Sequence, residues 1–468
     1  MLTLGIDSST QGVKAVVWDV GSKKVAFSAS VNYGKDLPQY GSPDGFLPND
    51  DVLVRHADPQ MWIEGLELVL ARLQAIGCPM SEIAAIGGDA QQHATVYLES
   101  LDPLVFSRHT SPIWMDSSTG AECAALDAKF GARLQTDTGS PAIERFAGPQ
   151  IMKFAKEDQE GYAKTNRVHL LSSFVASYLV GEDMPVDTGD GAGMNLLNLK
   201  TGEWDREICE FAAPGLIGKL PSVATRGDRA PYHRPLAARF AKFGLKPGIP
   251  VVPFTGDNPA SLVGCFAEKS GTAVVSLGTS DVFFAAMDAF HTDPDGYGHV
   301  FGNPMGGFMS LSCFKNGSLA RDRVRRVLGV DWKFFDETAW QDEVKVKGAI
   351  ERSEIAEGLR EQRNRAFPFF EAEITPKHDA TGIEANFGWA AAGAATKVRA
   401  IVEGQIANMY ERTRWIGDFD EIKVTGGASR SKGICETIAR VFKAKVSMLE
   451  VTDSAAVGGA RLAERALA

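Results

Sequence analysis

The chain has 468 residues, 44% of them hydrophobic and 23% charged, with a formal net charge of −10. That length exceeds one compact core and suggests roughly two to four domains, while the acidic total disfavours nucleic acid and favours metabolite-sized ligands. No apolar run approaches a membrane-spanning helix and no basic, apolar leader precedes the first strand, so a cytoplasmic protein engaging neither membrane nor nucleic acid is expected.

In chain order, Leu4-Gly5-Ile6-Asp7-Ser8-Ser9-Thr10-Gln11-Gly12-Val13-Lys14-Ala15 predicts a strand, a polar turn and a second strand, a hairpin whose turn presents N–H groups and hydroxyls. Asp58-Pro59 reads as an N-cap with Pro at the first helical position, and Trp62, Leu66, Val69, Leu70 and Leu73 then share one face until Gly77 ends the helix. Ile86 to His93 runs from a strand into Asp89, Gln91, Gln92 and His93, polar groups able to bond a ligand's hydroxyls. Trp114 and Asp116 add an aromatic face and a carboxylate, and Arg145 adds a guanidinium. Each has an ordinary alternative in core packing or a surface ion pair, but together they resemble a polyol-binding wall.

The Gly and Pro residues of Phe243 to Pro250 interrupt helical periodicity and predict a boundary between domains 1–245 and 246–468, with the hinge between them. Beyond it, Phe254-Thr255-Gly256-Asp257-Asn258-Pro259 places a carboxylate where a strand ends and a helix begins. Asp257 there can take the proton of a ligand hydroxyl or simply cap the helix. Val274 to Ala285 repeats the first hairpin, with Thr279 and Ser280 in its turn. Strands at Ile422–Val424 and Lys445–Leu449 alternate with helices at Ser431–Phe442 and Asp453–Ala466, an α/β pattern. The six cysteines are scattered without metal-ligand spacing and read as reduced, mostly buried side chains.

There is no GxxxxGK[ST] loop, no dinucleotide GxGxxG fingerprint and no GxSxG elbow. A phosphate-binding hairpin opening each of two α/β halves resembles instead the actin-like (ribonuclease H-like) ATPases. The ordered blocks from Asp7–Lys14 through Gln91-Gln92-His93, Ser111–Ser118, Glu144-Arg145-Phe146, Asp190–Leu197, Phe254–Leu262, Ser276–Asp281 and Cys313–Leu319 to Thr425–Ser429 resemble the FGGY carbohydrate kinases, most closely their D-xylulose branch.

The resemblance implies two actin-like domains around a central cleft and ATP-dependent phosphorylation of a ketopentose. By it, Asp257 is the base, Gln92, His93, Arg145, Asp257 and Asn258 face the sugar, and Asp7 with Ser9, Thr10 and Lys14 handles Mg²⁺ and phosphate. Thr279 and Ser280 lie near the γ-phosphate, Gly426, Gly427, Ala428 and Ser431 lie against ATP, and Trp332 flanks the adenine. Three departures stand out. Ser431 replaces a common asparagine, Ala94 replaces a glycine, and no arginine follows Trp114-Met115-Asp116, leaving Arg145 to supply the positive group. Residues 330–379 match least and are expected to be peripheral or to contact a second subunit, since family members are often homodimers. A kinase for ribulose, L-xylulose or glycerol, or an actin-fold ATP-binding regulator without kinase activity, remains as an alternative.

Overall fold

The computed structural model describes residues 1–224, 232–340, 363–449 and 453–467. Strands β1 (Leu2–Ser8), β2 (Gly12–Asp19) and β3 (Lys24–Asn32) form an antiparallel meander, and β4 (Ile83–Ala90) joins the other side of β1 in parallel. Helix α1 (Pro59–Ala75) makes the crossover between β3 and β4. Asp58 accepts a hydrogen bond from Gln60 N–H at its start, and Trp62, Leu66, Val69, Leu70 and Leu73 are buried against the sheet, as the capping residue and apolar spacing predict.

Three short strands, β5 (Arg234–Pro235), β6 (Pro250–Val251) and β7 (Thr255–Gly256), complete this seven-stranded sheet in the order β5-β6-β4-β1-β2-β3, with β7 paired to β4. The expected division at 245/246 therefore falls between neighbouring strands of one sheet. Gly244 and Gly248 have φ of 81° and 84° and turn the chain from β5 back into β6, so local backbone reversal, rather than a change of domain, explains the Gly-Pro signal. The chain leaves this sheet only after helix α2 (Asp257–Gly264).

The second sheet has six strands, β8 (Thr272–Leu277), β9 (Asp281–Met287), β10 (His299–Gly302), β11 (Phe308–Phe314), β12 (Glu421–Thr425) and β13 (Lys445–Met448), in the order β10-β11-β9-β8-β12-β13. It repeats the first. In both, the leading strand pairs antiparallel with its hairpin partner and parallel with a strand reached by a long crossover. Helices α3 (Ser318–Val327), α4 (Ala394–Thr413) and α5 (Lys432–Phe442) belong to this half.

The last helix, α6 (Ser454–Glu464), returns to the first sheet, where Thr3 Oγ1 donates to Ala460 O at 2.9 Å. It crosses α2 with backbones touching: a Cβ on Gly264 would lie 1.8 Å from Ser454 O, and one on Gly458 would lie 1.9 Å from Ala260 O. A mixed core joins the halves elsewhere, with Phe146, Leu197 and Leu199 against Val274, Phe284, Val300 and Phe301. All six cysteines are free, four of them buried. No helix among the described residues is long and apolar enough to cross a membrane.

Candidate active site

The floor of the cleft is set by strand register. Asp7 on β1 stands beside Asp89 on β4, and Thr255 on β7 stands on the other side of Asp89. Two residues on, Asp257 opens α2, so three carboxyls remote in sequence share one corner. Asp89 is fully buried, and among the described residues its carboxyl has no partner other than the facing carboxyl of Asp7. Burial, and then the charges of Asp7 and Asp257, push its pKa well up. Asp7 is also raised, chiefly by burial, although Ser9 Oγ donates to its Oδ1 at 2.7 Å.

Asp257 is partly exposed to the cleft. Desolvation first, then the Asp7 charge, raise its pKa to about 7. Gly256, not Asp257, is the N-cap of α2, so the capping alternative does not describe this carboxylate. Its Oδ1 accepts from Asn258 N at 2.9 Å and from Asn258 Nδ2 at 3.1 Å, and the backbone N–H of Gln92 also bonds the carboxylate. Asn258 Nδ2 also donates to Gln92 Oε1 at 3.0 Å. Gln92 thus braces Asn258, and its own amide points to Gly189 O at 3.4 Å.

His93 has a left-handed backbone, φ 73°, a strained conformation for a non-glycine residue. Its Nδ1 donates to Gly193 O at 2.9 Å, which leaves Nε2 as a bare acceptor. The ring stacks on Phe146 with centroids 4.4 Å apart, and burial followed by the Arg145 charge holds its pKa well below the usual range. Arg145 lies over the same phenyl ring, 5.6 Å from its centroid. Asp116 is not part of this wall. It is 1% exposed and accepts from Arg55 N, Ser118 N, Ser118 Oγ and Gln150 Nε2, which locks its own loop. Trp114 remains 46% exposed, and its indole N–H donates to Thr10 Oγ1 at 2.8 Å, tying this wall to the first phosphate-type turn.

The two hairpin turns differ in their supports. Lys14 forms an ion pair with Asp453, at the start of α6. The Thr279-Ser280 turn is followed by Asp281, which receives two hydrogen bonds from Arg321 of α3, at 2.7 and 2.8 Å, with both side chains almost fully buried. Ser318 N bonds Gly278 O at 3.2 Å, so the first turn of α3 clamps the second hairpin.

At the far side, Gly426 has φ 92° and a Cβ there would lie 2.5 Å from Leu277 O, whereas a Cβ on Gly427 would meet nothing within 4 Å. Gly426 is thus required by the turn, and Gly427 is exposed with open space beside its backbone. Ser431 is 2% exposed with its hydroxyl sealed from solvent, in contrast to the exposed Gly427. Trp332 is 44% exposed at the start of a short helix, with Arg325 over its ring at 5.0 Å. Of the poorly matched stretch 330–379, residues 341–362 lie outside the described residues.

His299, at the start of β10, was invisible to pattern reading. It reaches the site from the second half, with Nε2 3.4 Å from Arg145 Nη2 and Nδ1 3.0 Å from Ser140 Oγ. Arg321 was missed for the same reason. Each lies in a segment whose local signal is an ordinary strand or helix.

Comparison with known proteins bears on the fold and the family. The N-terminal domain of the FGGY family of carbohydrate kinases matches residues 2–264 and its C-terminal domain matches residues 273–467. The xylulose kinase of Rattus norvegicus is 36% identical over 500 residues, covering 99% of this chain and 88% of the relative. Xylulose kinase 2 of Arabidopsis thaliana is 33% identical, covering 98% and 86%. Among solved structures, a xylulose kinase from Bifidobacterium adolescentis shares the fold with a TM-score of 0.79 at 22% identity, covering 100% of this chain and 93% of that one. The Plasmodium falciparum glycerol kinase with ADP gives 0.76 at 15% identity, covering 100% and 89%. Two hairpins heading repeated sheets and matches to both family domains have one common account: the chain belongs to the FGGY family of carbohydrate kinases, on an actin-like ATPase fold.

Proposed function

We propose that this kinase transfers the γ-phosphoryl group of ATP to the 5-hydroxyl of D-xylulose in its open form, acting in the cytoplasm, with Asp257 as the base. The observation that carries this is Asp257 itself: a partly exposed carboxylate raised to about 7, at the start of a helix and beside Asp7 of the first hairpin. A base needs a pKa near the working pH and a fixed position, and desolvation supplies the first while Asn258 and Gln92 supply the second. D-Xylulose is preferred among ketoses because relatives at 36% and 33% identity over nearly the whole sequence carry the name xylulose kinase.

The ionised Asp257 takes the hydroxyl proton as the sugar oxygen bonds to the γ-phosphorus and the bond to the β–γ bridging oxygen breaks, releasing ADP. No covalent enzyme intermediate is required. His93 is neutral with Nε2 bare, so it accepts from a sugar hydroxyl, while Arg145 donates to sugar oxygens. Thr279, Ser280, Ser9 and Thr10 bring hydroxyls and backbone N–H groups to the phosphates, and Gly427 lets the nucleotide approach the backbone. Trp332 flanks the adenine with its exposed ring.

Among the described residues no group of three or more His, Cys, Asp or Glu side chains is arranged to hold a metal ion. Asp7 is the residue that would hold Mg²⁺, an ion that usually binds through one or two carboxylates and keeps several waters. When bound there, Mg²⁺ supplies charge neutralisation on the phosphates.

The test is ADP release with Mg-ATP and a panel of D-xylulose, L-xylulose, D-ribulose, L-ribulose and glycerol. Preference for D-xylulose by at least an order of magnitude in kcat/KM supports the assignment. Preference for another polyol moves the substrate and keeps the chemistry, and hydrolysis without sugar overturns both.

A further inference from the structure

Among the described residues no Asp or Glu forms a hydrogen bond or ion pair with Arg145; the neighbouring Glu144 acts on it only through its charge, and its hydrogen bond goes to the imidazole of His299. A guanidinium has only donors, so the tautomer follows from the contacts: His299 Nε2 must be bare to accept from Nη2, and Nδ1 must carry the proton it donates to Ser140 Oγ. Burial, then the Arg145 charge, lowers the His299 pKa to about 3, so the ring stays neutral and the tautomer holds.

The ring is also fixed in place. Val300 N, the next residue on β10, donates to Gly139 O at 2.9 Å. Gly139 has φ 90°, and a Cβ on it would lie 2.2 Å from Val300 O, so the strand is seated against the 139–141 turn with no room to shift. Phe146 completes the arrangement, with His93 stacked on it at 4.4 Å and His299 tilted against it at 5.8 Å.

We propose that His299 is the positioning residue for Arg145, a contribution of the second half to a sugar wall otherwise built by the first. This rests on the reading of Arg145 as a sugar contact. A carboxylate in its place would take two N–H groups in a fork and cancel the charge. A neutral imidazole takes one, sets the guanidinium's orientation, and leaves the other N–H groups and the full charge for the ketose oxygens. Ketose affinity should then depend on the lone pair of His299 although His299 itself need not touch the sugar.

Initial rates are measured with D-xylulose and with ATP as the varied substrate for His299→Leu, His299→Gln, Arg145→Ala and the double variant Arg145→Ala/His299→Leu. His299→Leu should raise the KM for D-xylulose about tenfold and leave the KM for ATP within about twofold, the scale of one lost charge-assisted hydrogen bond. His299→Gln, whose amide oxygen reaches the place of Nε2, should recover most of that loss, and the double variant should be no worse than Arg145→Ala alone. Equal rises in both KM values, a glutamine variant as poor as leucine, or additive effects would overturn the proposal. If the leucine variant does not fold, His299→Asn, too short to reach Arg145, takes its place in the comparison with glutamine. An unchanged ketose KM in Arg145→Ala overturns the underlying reading of Arg145, whereas a raised KM there with none in His299→Leu overturns the positioning role alone.

Discussion

Replacing Asp257 by Asn keeps the shape of the side chain and removes its charge, and the structure gives this change two opposite consequences. Activity should fall by at least three orders of magnitude, since an amide cannot take the hydroxyl proton. Stability should rise. The folded protein holds the Asp257 carboxyl at about 7 against an ordinary 3.8, so a folded molecule binds this proton over a range where an unfolded one has released it. Stability from this group is therefore complete below roughly pH 4 and lost as pH rises through about 7. The full shift corresponds to about 4 kcal/mol above pH 7, an upper bound that water in the cleft reduces to about 1–3 kcal/mol.

Thermal melting of both proteins at acid and alkaline pH measures the difference. For cooperative unfolding of a protein this long, each kcal/mol shifts Tm by about 1 °C. The variant should melt a few degrees higher at pH 8, with the gap closing toward pH 4. The wild-type profile of kcat/KM for the ketose should climb tenfold per pH unit below about 7 and level above it. A variant with near-wild-type turnover refutes the base assignment. A Tm gap independent of pH refutes the claim that the cleft holds this carboxylate at an ionisation cost.

Arg321→Met leaves Asp281 buried without its partner, so a loss of about 3–5 kcal/mol is expected in denaturant unfolding, with partial recovery in Arg321→Met/Asp281→Asn; a loss under about 1 kcal/mol would mean the pair is not what anchors the second hairpin. Gly426→Ala meets Leu277 O at 2.5 Å in a left-handed backbone and should lower Tm, whereas Gly427→Val points into open space and should preserve Tm while raising the KM for ATP about tenfold or more. Equal Tm effects at the two positions would contradict the division of roles between them. EDTA should abolish ADP release and added Mg²⁺ should restore it, with Asp7→Asn shifting the half-saturating Mg²⁺ concentration upward in the same titration; a wild-type titration curve would remove Asp7 from the ion's surroundings.

Much of the fold was legible because its signals are local. The hairpins at Asp7 and Thr279, the Asp58 cap, the apolar face of α1 and the terminal strand-helix alternation each follow from residues within a few turns of one another. The Gly-Pro segment at Gly244–Pro250 was just as local, and for that reason misled: a turn inside a sheet and a link between domains have the same composition, and only the pairing of Val251 with Ile86 distinguishes them.

The candidate site divides along the same line. Sequence alone supplied Asp257 at a strand-to-helix junction, the polar run ending in His93, the glycine pair at Gly426-Gly427 and, through the order of these blocks, the family. Tertiary structure decided which of these groups meet and in what state. Strand order put Asp89 between Asp7 and Asp257, and the desolvation that follows raised Asp257 to about 7. Packing turned Asp116 and the Ser431 hydroxyl inward, and joined Arg145 to His299 across 154 residues. The physical reason is that covalent connectivity constrains backbone conformation over a few residues, while charge states and hydrogen-bond partners depend on what burial brings within a few ångströms, whatever the separation in sequence.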